Sequence, residues 1–113
     1  MKLGHDGLRL RIFVHESLRY DHRPLFAYIV EQAWREGLAG ATVFRGVEGY
    51  GGRRHIHATR LSDTADDLPI IVEIVDRPEA IRRFLNTLEG VVVRGTATIS
   101  PVQIVKYSER IYE

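Results

Sequence analysis

With 113 residues, 44% of them hydrophobic and 27% charged, the chain has an ordinary globular composition and is long enough to bury a core without staples. A formal net charge of +1 gives no global field to attract nucleic acid or a membrane surface, and the lack of cysteine excludes disulfides, thiol nucleophiles and cysteine-bound metals and fits a reducing cytoplasm. Residues 1–7 lack the apolar stretch of a signal peptide, and no apolar run approaches the roughly 18 residues of a membrane helix, so one cytoplasmic domain over residues 1–113 is expected, with no membrane insertion.

Residues 8–15 alternate, with Leu8, Leu10, Ile12 and Val14 on one face and Arg9, Arg11, Phe13 and His15 on the other, which predicts a strand with one buried face. Tyr20-Asp21-His22-Arg23-Pro24 reads as a turn and helix start, with Pro24 tolerated in the first turn. Leu25, Ile29, Ala33 and Trp34 then recur at helical spacing, and Gly37 suits the left-handed residue that ends a helix. Trp34 is expected in helix core or at an oligomer contact. Residues 41–47 read as a strand, because Thr42-Val43-Phe44 fit a pleated surface. Gly49, Gly51 and Gly52 follow, and they let a ligand approach the backbone closely. Residues 55–61 resume as a second hairpin arm, and residues 62–69 form a polar, acidic turn. Residues 70–76 are nearly continuously apolar, which predicts a strand that is central or covered on both faces. Pro78 starts a second helix carrying Ala80, Ile81, Phe84, Leu85 and Leu88 and ending near Gly90. Residues 91–93 read as an edge segment and residues 102–107 as the last strand.

The order β-α-β-β-α-β predicts an α+β fold, a ferredoxin-like βαββαβ sandwich in which two helices cover one face of an antiparallel sheet. The other face has no helix, and the sheet has open edges. A homo-oligomer of cyclic symmetry, with sheets packed on one another, is therefore expected.

Charge is distributed locally. Between positions 45 and 60 four arginines (Arg45, Arg53, Arg54 and Arg60) stand against Glu48, a formal excess of +3. Gly49-Tyr50-Gly51-Gly52 with Arg53-Arg54 has two readings. It is a phosphate cradle of backbone N–H groups and guanidinium forks, or it is a hairpin loop with turn glycines and solvated arginines. His55 and His57 share one strand face, as metal ligands can, but two histidines do not complete a site and they read as structural or solvent-facing. Asp63, Asp66 and Asp67 read as a solvated acidic turn rather than the oxygen cage of a hard cation. Ser17 and Tyr20-Asp21-His22-Arg23 contain acid–base groups at no spacing that marks a triad. Arg77, Arg82 and Arg83 read as a wet helix face.

Gly37-Leu38-Ala39-Gly40-Ala41-Thr42-Val43, followed by Gly49-Tyr50-Gly51, resembles the segment before the T-loop of the PII signalling proteins. Arg45-Gly46 through Tyr50-Gly51, with Met1-Lys2-Leu3-Gly4 and the run from Leu68-Pro69-Ile70 to Asp76, resembles more closely the PII-like group known as domain of unknown function 190. Gly52 stands where PII proteins carry an arginine, and their basic, glycine-rich phosphate loop is reduced here to Val93-Arg94-Gly95-Thr96. The resemblance implies a non-catalytic signalling homotrimer that binds AMP, ADP or ATP, or a similar small anion, in inter-subunit clefts, with no metal and no other cofactor. It also implies a loop, here 46–58, that reports ligand state to a partner such as a membrane transporter. The ligand-binding set so implied is Thr42, Arg45, Gly49, Tyr50, Gly51, Gly52, Arg53, Arg54, Arg94 and Lys106. The alternative is a small metal-binding protein or enzyme on the same trimeric scaffold, with His55, His57 and the acidic turn as its chemistry.

Overall fold

The computed structural model describes residues 2–51, 56–58, 67–92 and 94–106. In chain order the elements are β1 (Lys2–His15), β2 (Arg19–Tyr20), β3 (Arg23–Pro24), α1 (Leu25–Arg35), β4 (Thr42–Arg45), β5 (Glu48–Gly49), β6 (His57–Ala58), β7 (Pro69–Asp76), α2 (Pro78–Leu88) and β8 (Thr96–Lys106). The main sheet has the order β4-β7-β1-β8 with every pairing antiparallel, which is the ferredoxin-like arrangement expected from the element order.

Two periodicities meet in the core. The two-residue period of β1 buries Leu8, Leu10, Ile12 and Val14, and that of β7 buries Ile70, Val72 and Ile74. The helical period brings Leu25, Ile29 and Ala33 of α1 and Ile81, Phe84 and Leu88 of α2 onto the same side. Each fully buried aliphatic or aromatic side chain contributes about 1.5–3 kcal/mol by leaving water. The opposite face carries Arg9, Arg11, Phe13, Phe44, Ile71 and Val75, and Phe44 is 47% exposed. Arg11 and Glu73, cross-strand partners on this face, form an ion pair at 2.7 Å.

The helix ends are set locally. Gly37 has φ +78°, and the N–H groups of Leu38 and Gly37 donate to the carbonyls of Ala33 and Trp34 at 3.1 and 3.2 Å, which is a Schellman cap. Asp76 ties the end of β7 to the segment after α1, accepting from the N–H of Ala39 at 2.9 Å and from the N–H of Arg77 at 2.7 Å.

The region expected as a turn and helix start is a miniature hairpin. Arg19 pairs with Pro24 and Tyr20 with Arg23, while Asp21 (φ 53°) and His22 (φ 67°) occupy the left-handed positions of a type I′ turn. Pro24 is therefore the last strand residue, and α1 begins at Leu25, whose N–H donates to the Leu18 carbonyl at 2.7 Å. The hairpin leans on α1: the Tyr20 and Tyr28 rings lie 4.5 Å apart, and the Arg23 guanidinium sits 5.1 Å from the Tyr28 centroid while pairing with Glu31. That hydrogen bond holds the Glu31 carboxyl below its ordinary range and raises Arg23.

Other elements also depart from expectation. β1 and β8 are longer than residues 8–15 and 102–107, because they pair with each other from Lys2↔Lys106 to Phe13↔Thr96. The register shifts between Leu3 and His5, where any Cβ on Gly4 would meet the Ile104 carbonyl. Pro101 is accommodated because β8 is an edge strand. Valines 91 and 92 form a turn and not an edge segment: after Gly90 (φ +89°) both N–H groups donate to the Leu88 carbonyl, and their side chains pack on the core. Trp34 is 79% exposed and takes no part in the core of this chain.

The packing separates two aromatic substitutions. Phe84→Ala should destabilise the protein by about 3–5 kcal/mol, as large-to-small core changes do, whereas Trp34→Ala should stay within about 0.5 kcal/mol. Urea unfolding measures both, and equal effects would contradict this core.

Candidate functional site

Antiparallel register gathers four strand ends at one edge of the sheet. His15 pairs with Pro69, Phe13 with Thr96 and Arg45 with Ile70, so the end of β1, the end of β4 and the starts of β7 and β8 are neighbours. A cleft of about 780 Å³ opens there, within the size range of small-molecule sites. β1 contributes Phe13, Val14 and His15, and β7 contributes Pro69 and Ile70. Tyr50 and Gly51 enter from the loop after β5, and Arg94, Gly95 and Thr96 from the approach to β8. Ser17, Leu18 and Asp67 complete the lining.

Glycines allow this convergence. Gly95 has φ +116°, and a Cβ there would run into the Phe13 carbonyl oxygen, so a side chain at 95 would push the Arg94 segment off β1. A Cβ on Gly49 would lie 2.9 Å from Pro69 Cγ. Gly49 pairs with His57, which starts the hairpin above the cleft.

The turn after β1 holds both ends of the β4–β7 connection. The Glu16 N–H donates to the Leu68 carbonyl at 2.9 Å, and Asp67 Oδ1 accepts from the N–H and Oγ of Ser17 at 3.1 and 2.6 Å. On the other side Gly46 N–H donates to the Pro69 carbonyl at 2.7 Å, and Arg45 donates from Nε and Nη2 to Glu16 Oε2 at 3.0 and 2.6 Å. A loop rooted this way shares its anchors with the cleft wall, so a ligand touching Ser17 or Asp67 touches the loop's base.

Of the residues singled out from sequence, Tyr50, Gly51 and Arg94 line the cleft. Gly49 flanks it in β5. Arg45 stands at its rim, with its guanidinium engaged by Glu16. Thr42 lies three residues back on β4, opposite Glu73, and does not line it. Lys106 pairs with Lys2 at the far end of β8, ten residues from Thr96 and thus roughly 30 Å away at about 3.3 Å per residue. Gly52, Arg53 and Arg54 lie outside the described residues, as do His55, Asp63 and Asp66. Among the described residues no three histidine or acidic side chains converge as a metal site would require. Ser17, Phe13 and Asp67 were not foreseen as lining residues. Only the strand register, which brings position 67 beside the end of β1, identifies them.

The cleft combines an apolar wall, an aromatic ring, backbone N–H groups on a glycine-rich segment and a guanidinium, set off against one carboxylate. Such a lining suits an anion carrying a flat apolar portion better than a bare ion. Among the described residues no helix is long and apolar enough to cross a membrane.

Comparison with known proteins agrees with the fold. Over 93% of the chain and 92% of its own length, CPII, a nitrogen regulatory PII-like protein from Thiomonas intermedia K12 solved with ADP, AMP and bicarbonate, superposes with a TM-score of 0.70 at 17% identity. A candidate PII-like signaling protein from Thermus thermophilus gives a TM-score of 0.66 at 24% identity over 93% of this chain and 94% of that one. These likenesses establish a PII-like fold. In sequence, a UPF0166 protein of Aquifex aeolicus (strain VF5) is 38% identical over 96 residues, 85% of this chain and 90% of the relative. Residues 7–104 match the family described as DUF190, Uncharacterized ACR, and the chain is a member of that family.

Proposed function

We propose that the protein is a non-catalytic, PII-like regulatory protein of the cytoplasm, built as one domain over residues 1–113. It binds a small anionic ligand, an adenine nucleotide, and reports occupancy through the 46–58 loop to a partner protein such as a membrane transporter. The observation that carries this reading is the cleft of about 780 Å³, which joins Tyr50-Gly51 of the loop to Arg94-Gly95. The apolar wall of Phe13, Pro69 and Ile70 suits a base, and Arg94 suits a phosphate. CPII, of the same fold, was solved with ADP and AMP. In this proposal Arg53 and Arg54, which follow Tyr50-Gly51-Gly52 in sequence, would supply two further guanidinium groups to the phosphate.

In this proposal the assembly is a homotrimer with the ligand between subunits. The sheet face without helices exposes Phe13, Phe44 and Val75, and a second sheet would cover them. A neighbouring subunit would also supply Lys106, which its own chain carries far from the cleft, and Thr42 belongs to the same inter-subunit region.

Two measurements test the proposal. Light scattering should give three 12.9 kDa chains, about 39 kDa, at all accessible concentrations. A concentration-independent monomer would remove the inter-subunit site. Calorimetric titration of AMP, ADP and ATP should show binding that weakens at least about tenfold in Arg94→Gln and in the double variant Arg53→Ala/Arg54→Ala, since each fork is a charge-assisted hydrogen bond and ~1.4 kcal/mol is one decade. No nucleotide binding to the wild type would overturn the reading, and stoichiometric bound metal would favour the metal-binding alternative.

A further inference from the structure

A smaller cleft of about 220 Å³ shares Leu18 and Arg94 with the main one and adds Arg19, Leu25 and Val91. Among the described residues no acidic side chain lines it. Among them, too, neither Arg19 nor Arg94 has an ion-pair partner, in contrast to Arg45, whose charge is met by Glu16. Two guanidinium groups bordering one small concavity without a carboxylate repel each other, and an anion between them relieves that repulsion.

Arg19 is also held in place before any ligand arrives. Its Nη2 donates to the His22 carbonyl at 2.7 Å. That carbonyl belongs to the type I′ turn in which Asp21 and His22 both take left-handed backbone conformations, an arrangement non-glycine residues adopt only when the surroundings hold them there. The surroundings do so: Tyr20 lies against Tyr28, and Arg23 packs on Tyr28 and pairs with Glu31. One hydrogen bond to a carbonyl uses one of the five N–H donors of a guanidinium and leaves the fork for an anion.

We propose that this smaller cleft is a second anion subsite, in which Arg19 acts with Arg94 to take the distal phosphates of a di- or triphosphate chain, while the main cleft takes the rest of the ligand. The inference rests on the nucleotide reading of the main cleft and adds to it a preference: Arg19 distinguishes phosphate-chain length. A monophosphate engaged by Arg94 does not extend to Arg19, whereas a chain leaving the main cleft over Leu18 meets it.

The test titrates AMP, ADP, ATP and inorganic tripolyphosphate into the wild type, Arg19→Gln and Arg82→Gln. Arg82 is an exposed arginine of α2 that lines neither cleft, and its variant controls for the loss of one positive charge. Arg19→Gln should weaken ADP, ATP and tripolyphosphate about tenfold, the loss of one charge-assisted fork, with AMP changed less than about threefold. Arg82→Gln should leave every affinity within about twofold. Losses equal for AMP and ATP, losses matched by Arg82→Gln, or a wild type that takes neither ADP nor tripolyphosphate would each overturn the subsite. Nucleotide binding insensitive to Arg19 removes the subsite and leaves the main reading intact. Arg19-dependent tripolyphosphate binding without any nucleotide binding does the reverse. Because Arg19 is exposed, melting of Arg19→Gln without ligand should match the wild type, which separates lost affinity from lost fold.

Discussion

The structure depends on the position of β1, hydrogen-bonded along both its edges. Its pairing with β7 and β8 fixes which residues face the helices, since a one-residue slip would carry Leu8, Leu10, Ile12 and Val14 to the open face and replace them with Arg9, Arg11, Phe13 and His15. Burying charge in that way is far too unfavourable to compete, so the register is strongly specified. The same register decides where the sheet ends. Once His15 is opposite Pro69 and Phe13 opposite Thr96, the turn after β1, the root of the 46–58 loop and the Arg94-Gly95 segment have to meet. The cleft therefore follows from core packing, and Val14 and Ile70 belong to both the core and the lining.

Most of the fold was legible because the periodicities were strong. Leu8 to Val14 alternated, α1 and α2 carried apolar residues three and four apart, and Gly37 marked a stop that proved to be a Schellman cap. What was missed came from pairing, which a one-dimensional pattern does not contain. β8 runs on from Thr96 through polar and exposed positions because β1 offers it a partner, not because its sequence alternates. The β2–β3 hairpin hides in Tyr20-Asp21-His22-Arg23, where neither central residue is glycine and the turn is sustained by contacts with α1.

The candidate site divides along the same line. Tyr50, Gly51 and Arg94 could be singled out from glycine-rich, arginine-bearing segments, and two of those segments do meet at the cleft. Arg45 looked like a ligand group from its place in the run. Its carboxylate partner, Glu16, is 29 residues away in sequence and was not foreseeable. That ion pair is half exposed and so contributes little to stability, but it fixes where β4 hands over to the loop. Ser17 and Asp67 work alike, joining the far end of the same connection to the turn after β1. Of the two roots of the β4–β7 connection, the one at Asp67 and Pro69 is also cleft wall, and on the proposed function that shared wall would couple occupancy of the cleft to the loop.

The central claim is that a nucleotide binds at the edge of the sheet where these segments meet. Backbone amide shifts followed by NMR during ADP addition test it most directly. Binding there should give saturable shifts at Gly51, Ser17, Leu18, Arg94 and Gly95, with Ile29, Ile81 and Phe84 in the core essentially still. Saturable shifts confined to residues remote from that edge, or none at any concentration, would contradict it.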